Sequence, residues 1–133
     1  IENMENLILV QAKATLSPDS LNLIVCPLYA SLPTSQQTAV FDKTPQGCRK
    51  VVLSTNIAET SITISGIRHV IDCGLVKMRG FNAKTGIETL TVSPISKAAA
   101  NQRAGRAGRT SPGYCFHLYS QEQRNLMLPN KPP

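Results

Sequence analysis

The segment Gln102-Arg103-Ala104-Gly105-Arg106-Ala107-Gly108-Arg109 sets three arginines three residues apart, with an amide just before the first. Guanidinium forks match phosphate oxygens two at a time and neutralise the charge that builds up in phosphoryl transfer. At about 100° per residue, a continuous helix puts Gln102, Arg106 and Arg109 within about 60° of one another and turns Arg103 roughly 100° aside. Each glycine costs roughly 0.8–1 kcal/mol in a helix interior relative to alanine. Gly105 and Gly108 therefore point to a wall kept thin for a ligand or another backbone, which a merely solvated basic helix would not need.

A second concentration of polar chemistry runs from Ser54 to Gly66. Seven hydroxyl or amide side chains (Ser54, Thr55, Asn56, Thr60, Ser61, Thr63, Ser65) crowd the turn after a hydrophobic run. Such groups, with the backbone N–H donors of a turn, suit phosphate or ribose contacts, whereas plain N-capping accounts for one or two of them. The chain has no Gly-Lys pair and no Asp-Glu pair. It thus lacks the P-loop pattern and an acidic box for a metal. Cys26, Cys48, Cys73 and Cys115 form no C-x-x-C pair, which argues against zinc. Cys26, Cys73 and Cys115 sit in or beside apolar runs and are expected as small reduced core residues. His69 and His117 sit in strand-like segments and are expected to be structural.

The elements that must position these residues follow from periodicity. Residues Glu2 to Lys13 have a helical profile, and Leu21 to Tyr29 reads as a buried strand. Ser35 to Phe41 is expected to be helical until Pro45-Gln46-Gly47 breaks the pattern. Lys50 to Leu53 is the next strand, followed by a helical or turn segment through Ser61. His69 to Ile71 is a short strand ended by Asp72-Cys73-Gly74. Phe81 to Val92 looks like a hairpin with its tip at Asn82–Gly86. Ser96 is a suitable N-cap for a helix from Lys97 to about Arg109. Tyr114 to Tyr119 closes as a strand, and the tail from Pro129 is expected to be loose. Alternating strands and helices imply an α/β domain with a mainly parallel sheet flanked by helices. Ligands of such sheets gather at the carboxyl ends of strands, which marks the turns after Leu53 and Ile71.

Composition is consistent with one domain. The 133 residues are 41% hydrophobic and 5% aromatic with no Trp, so the core must come from Ile, Val, Leu and Ala. The net charge is +6, and between Lys43 and Arg109 eleven Lys/Arg face three Asp/Glu. A field of that sign favours phosphate-bearing partners. No stretch approaches the ~20 apolar residues of a membrane span, and no secretion signal is visible, so an intracellular location, nuclear or cytoplasmic, is expected. The abrupt start at Ile1 reads as a piece cut from a longer protein.

Leu28-Tyr29-Ala30-Ser31-Leu32-Pro33, Ser54-Thr55-Asn56-Ile57-Ala58-Glu59-Thr60-Ser61 and Gln102 to Arg109 resemble, in order and separation, motifs IV, V and VI of the DEAH-box ATP-dependent RNA helicases of superfamily 2. Gln102, where DEAD-box relatives typically have His, favours the DEAH group. The resemblance implies a RecA-like (P-loop NTPase-type) helicase C-terminal lobe over residues 1–120, truncated at its N-terminal edge. Residues 121–133 would then be a tail or linker toward the next domain.

By that resemblance, Arg106 and Arg109 are arginine fingers on nucleotide phosphates, and Gln102 positions phosphate or the attacking water. Phe41 stacks on the base; Thr63 and Ser65 lie near the ribose, although Asp is usual at the Ser65 position and Ser is shorter and uncharged. Ser31, Thr55 and Asn56 hold the RNA backbone, with Lys77 as a basic contact, and the hairpin sits by the RNA path. The cofactor is ATP or another NTP with Mg²⁺, the metal being held by the other lobe; this chain supplies no metal ligand. RNA, the N-terminal RecA-like lobe of the same chain and an activator protein are the expected partners, and no membrane. The resemblance implies that the parent couples NTP hydrolysis to RNA unwinding, translocation or RNP remodelling, and that this piece alone is inactive. The alternative is a non-catalytic RNA-binding or adaptor module derived from a helicase lobe.

Overall fold

Glu2–Thr15 forms helix α1, close to the expected span. After the Pro18-Asp19 turn, Asn22–Leu28 (NLIVCPL) forms β1, a run of β-favouring side chains. The computed structural model describes residues 2–109 and 111–131. β1 lies parallel to β2 (Cys48–Ser54), with register running from Asn22↔Cys48 to Leu28↔Ser54. Pro27 brings no N–H to the ladder, a loss tolerated because β1 is paired on one side only among the described residues. The crossover contains α2 (Thr34–Gln37) and a 3₁₀ turn (Thr38–Val40). Cys26, Leu28 and Val40 are buried together, flanked by Ile24, Val52, Ile57, Ala58, Ile62 and Ile64. Helix α3 (Ile57–Thr60) follows β2 directly. These elements make one compact unit, residues 1–64.

The second unit, residues 65–133, has its own core. Its strand β3 (His69–Asp72) turns through Gly74 into a hairpin of β4 (Leu75–Asn82) and β5 (Ile87–Pro94). The hairpin is longer than expected, but its tip is the anticipated one. The Asn82 carbonyl accepts from the N–H groups of Thr85 and Gly86 at 3.2 and 2.8 Å. Helix α4 (Lys97–Ala104) leads to β6 (Tyr114–His117), which returns parallel to β3 with His69↔Tyr114 and Asp72↔His117 in register. Both strand pairs outside the hairpin are therefore parallel, as the α/β pattern implies.

Three expectations need correction. Helix α4 stops at Ala104, not near Arg109. Beyond it the N–H groups of Arg106 and Ala107 reach back only three residues, to Arg103 and Ala104. The two glycines and the short bonds end the α-helix there. The tail from Pro129 is held where it begins, by its own first carbonyl, and the residues ahead of it, for which no element is expected, are helical. Gln121–Leu126 forms α5 with a Ser120–Gln123 capping box, Met127 is buried against Ile95 and Ala100, and the carbonyls of Leu128 and Pro129 accept from the Lys97 and Ala98 N–H groups. Those two bonds, with Ser96 Oγ accepting from Ala99, satisfy three first-turn donors of α4. Finally, all four cysteines are free, but only Cys26 is buried, and Cys73 is exposed because Asp72, its neighbour, points inward.

Gly74 is the least replaceable turn residue. Its φ is +73°, and a Cβ there would lie 2.5 Å from the Tyr119 ring. Gly74→Ala is expected to destabilise the chain by about 2–4 kcal/mol, combining left-handed strain with overpacking, read as a lower urea midpoint.

Candidate functional site

The arginine segment is carried by a helix fastened at both ends. At its start, α4 is capped by Ser96 and by the tail carbonyls. On its side, Asn101 Oδ1 accepts from Arg124 of α5 at 2.9 Å. At its end, Arg103 reaches inward: NH1 donates to Asp72 Oδ1 at 2.8 Å and NH2 to the Leu75 carbonyl at 3.2 Å. Ala107 is buried, and a Cβ on Gly113 would run into the carbonyls of Ala107 and Arg68. The turn after α4 is thereby seated on the start of β6.

The other long polar side chains of the segment are not drawn inward in this way. Gln102 and Arg109 are exposed and Arg106 is half-buried. Arg106 Nε makes a long contact, 3.4 Å, with the Gln102 carbonyl. Among the described residues neither Arg106 nor Arg109 forms an ion pair with an acid. Among the described residues nothing lies within 4 Å of a Cβ built on Gly108, so the backbone between these two arginines is open on that side. Two unpaired guanidinium groups beside open backbone suit an anion with several oxygens. Because the helix ends early, Gln102, Arg106 and Arg109 do not share one α-helical stripe; the last two belong to the turn that follows it.

Asp72 is the residue that sequence reasoning missed. Its side chain is fully buried. Oδ1 accepts from Arg103 and from the Gly74 N–H at 2.9 Å, and Oδ2 from the Tyr119 hydroxyl at 3.2 Å, with His117 Nδ1 3.7 Å away. Burial first, then the charge of Asp72 and the hydrogen bond to it, push the Tyr119 phenol above its ordinary pKa, so it remains a donor. Burial and the same carboxylate raise the Cys115 thiol. His117 therefore does have an acidic neighbour, brought from 45 positions away in the chain. The available signal was an acid at a strand end, followed by Gly two residues on, in a stretch with only three acids.

In the first unit, Ser31 and Thr55-Asn56 follow the carboxyl ends of β1 and β2, whose last residues, Leu28 and Ser54, are partners. The structure brings these three exposed residues to one edge of the parallel pair. The Thr55 N–H donates to the Leu28 carbonyl at 3.2 Å, tying the two strand ends together. Gln37 Nε2 donates to the Leu32 carbonyl at 2.6 Å and fixes the turn that carries Ser31. Phe41 is 53% exposed, so it is not an ordinary core ring. Thr63 is exposed near the end of this unit. In the second unit, Ser65 is exposed and Lys77 is exposed on β4, opposite Val92. Among the described residues there is no group of three or more His, Cys, Asp or Glu able to hold a metal, and no helix is long and apolar enough to cross a membrane.

Parallel strand pairs with hydroxyl-rich turns at their ends, and a basic arm after a capped helix, define the class as an α/β domain with groups suited to phosphate. Comparison with known proteins specifies it. Residues 2–111 match the helicase conserved C-terminal domain. A human protein, probable ATP-dependent RNA helicase DHX35, is 49% identical over 123 residues, which is 92% of this chain and 18% of that protein. Two solved structures, of the E. coli DExH-box NTPase HrpB and of the Escherichia coli DEAH/RHA helicase HrpB, superpose with TM-scores of 0.82 at 41% identity. They cover 95% of this chain, which in turn covers 15% and 16% of theirs. The chain belongs to the helicase conserved C-terminal domain family and has the RecA-like lobe of its DEAH-type members. It spans less than a fifth of the length of these relatives.

The exposure of Phe41 sets a test of whether its ring serves packing. Phe41→Ala is expected to cost about 1 kcal/mol or less of stability, whereas Leu28→Ala, at a side chain with no exposure, costs about 2–5 kcal/mol. Paired urea titrations of the two variants measure the difference.

Proposed function

We propose that this lobe belongs to an ATP-dependent RNA helicase that couples NTP hydrolysis to unwinding, translocation or RNP remodelling. The observation that carries the reading is the division of labour among the three arginines. Arg103 is locked inside by Asp72, while Arg106 and Arg109, with open backbone at Gly108 between them, have no acidic partner among the described residues. Guanidinium groups left unpaired on a fastened support are suited to charge that appears only during reaction, since no reorganisation is needed when it develops. The bound NTP with Mg²⁺ supplies the transferable phosphoryl group and the metal, which is held by the N-terminal lobe. Arg106 and Arg109 would contact the phosphates and Gln102 would orient phosphate or water. Phe41 would offer its exposed face to the base, a contact that discriminates poorly between bases, with Thr63 and Ser65 near the ribose.

Ser31, Thr55 and Asn56 would contact the RNA backbone, with Lys77 adding a cation. Small polar groups at strand ends hold phosphate and sugar without reading sequence, which suits a protein that must bind and release any segment. Residues 1–120 form the lobe in this reading and 121–133 lead to the next domain. The N-terminal lobe and an activator protein are the proposed protein partners, in an intracellular compartment.

In the full-length parent, Arg106→Ala and Arg109→Ala are each expected to lower RNA-stimulated ATPase by about 10³-fold or more while RNA binding persists. Wild-type turnover in either variant would refute the finger assignment, whereas a parent with no ATPase and with neither a phosphate loop nor a D-E-x-H box upstream would assign the chain to a non-catalytic RNA-binding module.

A further inference from the structure

We infer that Asp72 is a positioning residue for the arginine arm, setting the placement of Arg106 and Arg109 through its buried pair with Arg103. The inference rests on the reading that those two arginines serve the phosphates.

Arg103 is held at two points of one corner, Asp72 at the end of β3 and the Leu75 carbonyl at the start of β4. Two anchors on separate guanidinium nitrogens fix both the position and the plane of the fork. Arg103 lies in the last turn of α4, and its own carbonyl accepts the Arg106 N–H at 3.1 Å. The clamp is therefore one hydrogen bond away from the backbone of the first proposed finger. The remaining donors show that the carboxylate is built into the fold. Gly74 N–H shares Oδ1, and the Tyr119 hydroxyl occupies Oδ2 while its ring packs over Gly74.

The geometry gives the lever its size. A rotation of α4 by about 20° at a side-chain radius of roughly 6 Å moves a group by about 2 Å. Misplacement by about 1 Å can cost on the order of 10²-fold in rate. Replacing the carboxylate by its amide keeps the shape and removes the charge that holds Arg103.

The test uses the full-length parent with Asp72→Asn, steady-state ATPase with saturating RNA, and hydrogen–deuterium exchange without nucleotide. The expected result is a 10- to 100-fold fall in kcat with KM for ATP changed less than about three-fold. The exchange measurement should show faster exchange confined to residues 103–109. A purely structural role would instead spread the change over the unit and leave kcat of the folded fraction intact. An unchanged kcat in Asp72→Asn alongside an inactive Arg106→Ala overturns the inference. Should Arg106→Ala keep wild-type turnover, the finger reading itself fails, and exchange decides the clamp alone: unaltered protection at 103–109 overturns it. If Asp72→Asn does not fold, Arg103→Lys, which keeps the charge but loses the second anchor, is expected to lower kcat in the same direction by about 5- to 20-fold; wild-type kcat there overturns the inference.

Discussion

A carboxylate with no solvent-exposed surface is tolerated only when its charge is paired and its oxygens accept hydrogen bonds. Asp72 meets that condition with a guanidinium, a backbone N–H and a phenol, drawn from α4, the β3–β4 corner and a residue two positions past β6. One side chain thereby ties together three elements far apart in sequence. Breaking such a pair costs more than forming it contributes, because the partner charge is left buried. The arrangement thus specifies one placement of α4 rather than simply adding stability. Gly74 serves the same device, since only a residue without Cβ fits beneath Tyr119 at positive φ.

Around this anchor the three arginines separate into two kinds. The one drawn into the protein has a partner acid and a partner carbonyl, and the two beyond it stand on a tight turn seated by buried Ala107. In the first unit the principle is different. There, backbone bonds between strand ends, and Gln37 on the Leu32 carbonyl, hold short turns whose side chains are small and polar. Charge on a fastened arm suits a phosphate that changes its charge during reaction, while uncharged hydroxyls on strand-end turns suit a backbone that must be released. The proposed division between hydrolysis and RNA contact follows from that difference in side-chain chemistry.

Local chemistry made much of this chain readable before its structure. Strand β1, the hairpin tip at Asn82–Gly86 and the Ser96 cap each depend on neighbours within a few residues, and each lies where the pattern places it. The end of α4 departs from the pattern, because the arginine spacing fits a helix while the glycines between them favour tighter turns. The tail departs from its pattern for another reason. From Pro129 its Pro and Asn content reads as loose, yet the Pro129 carbonyl accepts from the Ala98 N–H, one of the orphan donors of α4.

By itself the sequence determined the family, the α/β alternation and the supply of arginine and hydroxyl side chains, since motif spacing and periodicity are carried by adjacent residues. Only the tertiary structure decided which arginine is spent on the fold and which two remain outside. It also turned Asp72 from a strand-ending acid into the anchor of the arm. The reason is physical: a buried charge is defined by partners that the chain brings from 31 and 47 positions away, and no local pattern encodes which donors will meet it.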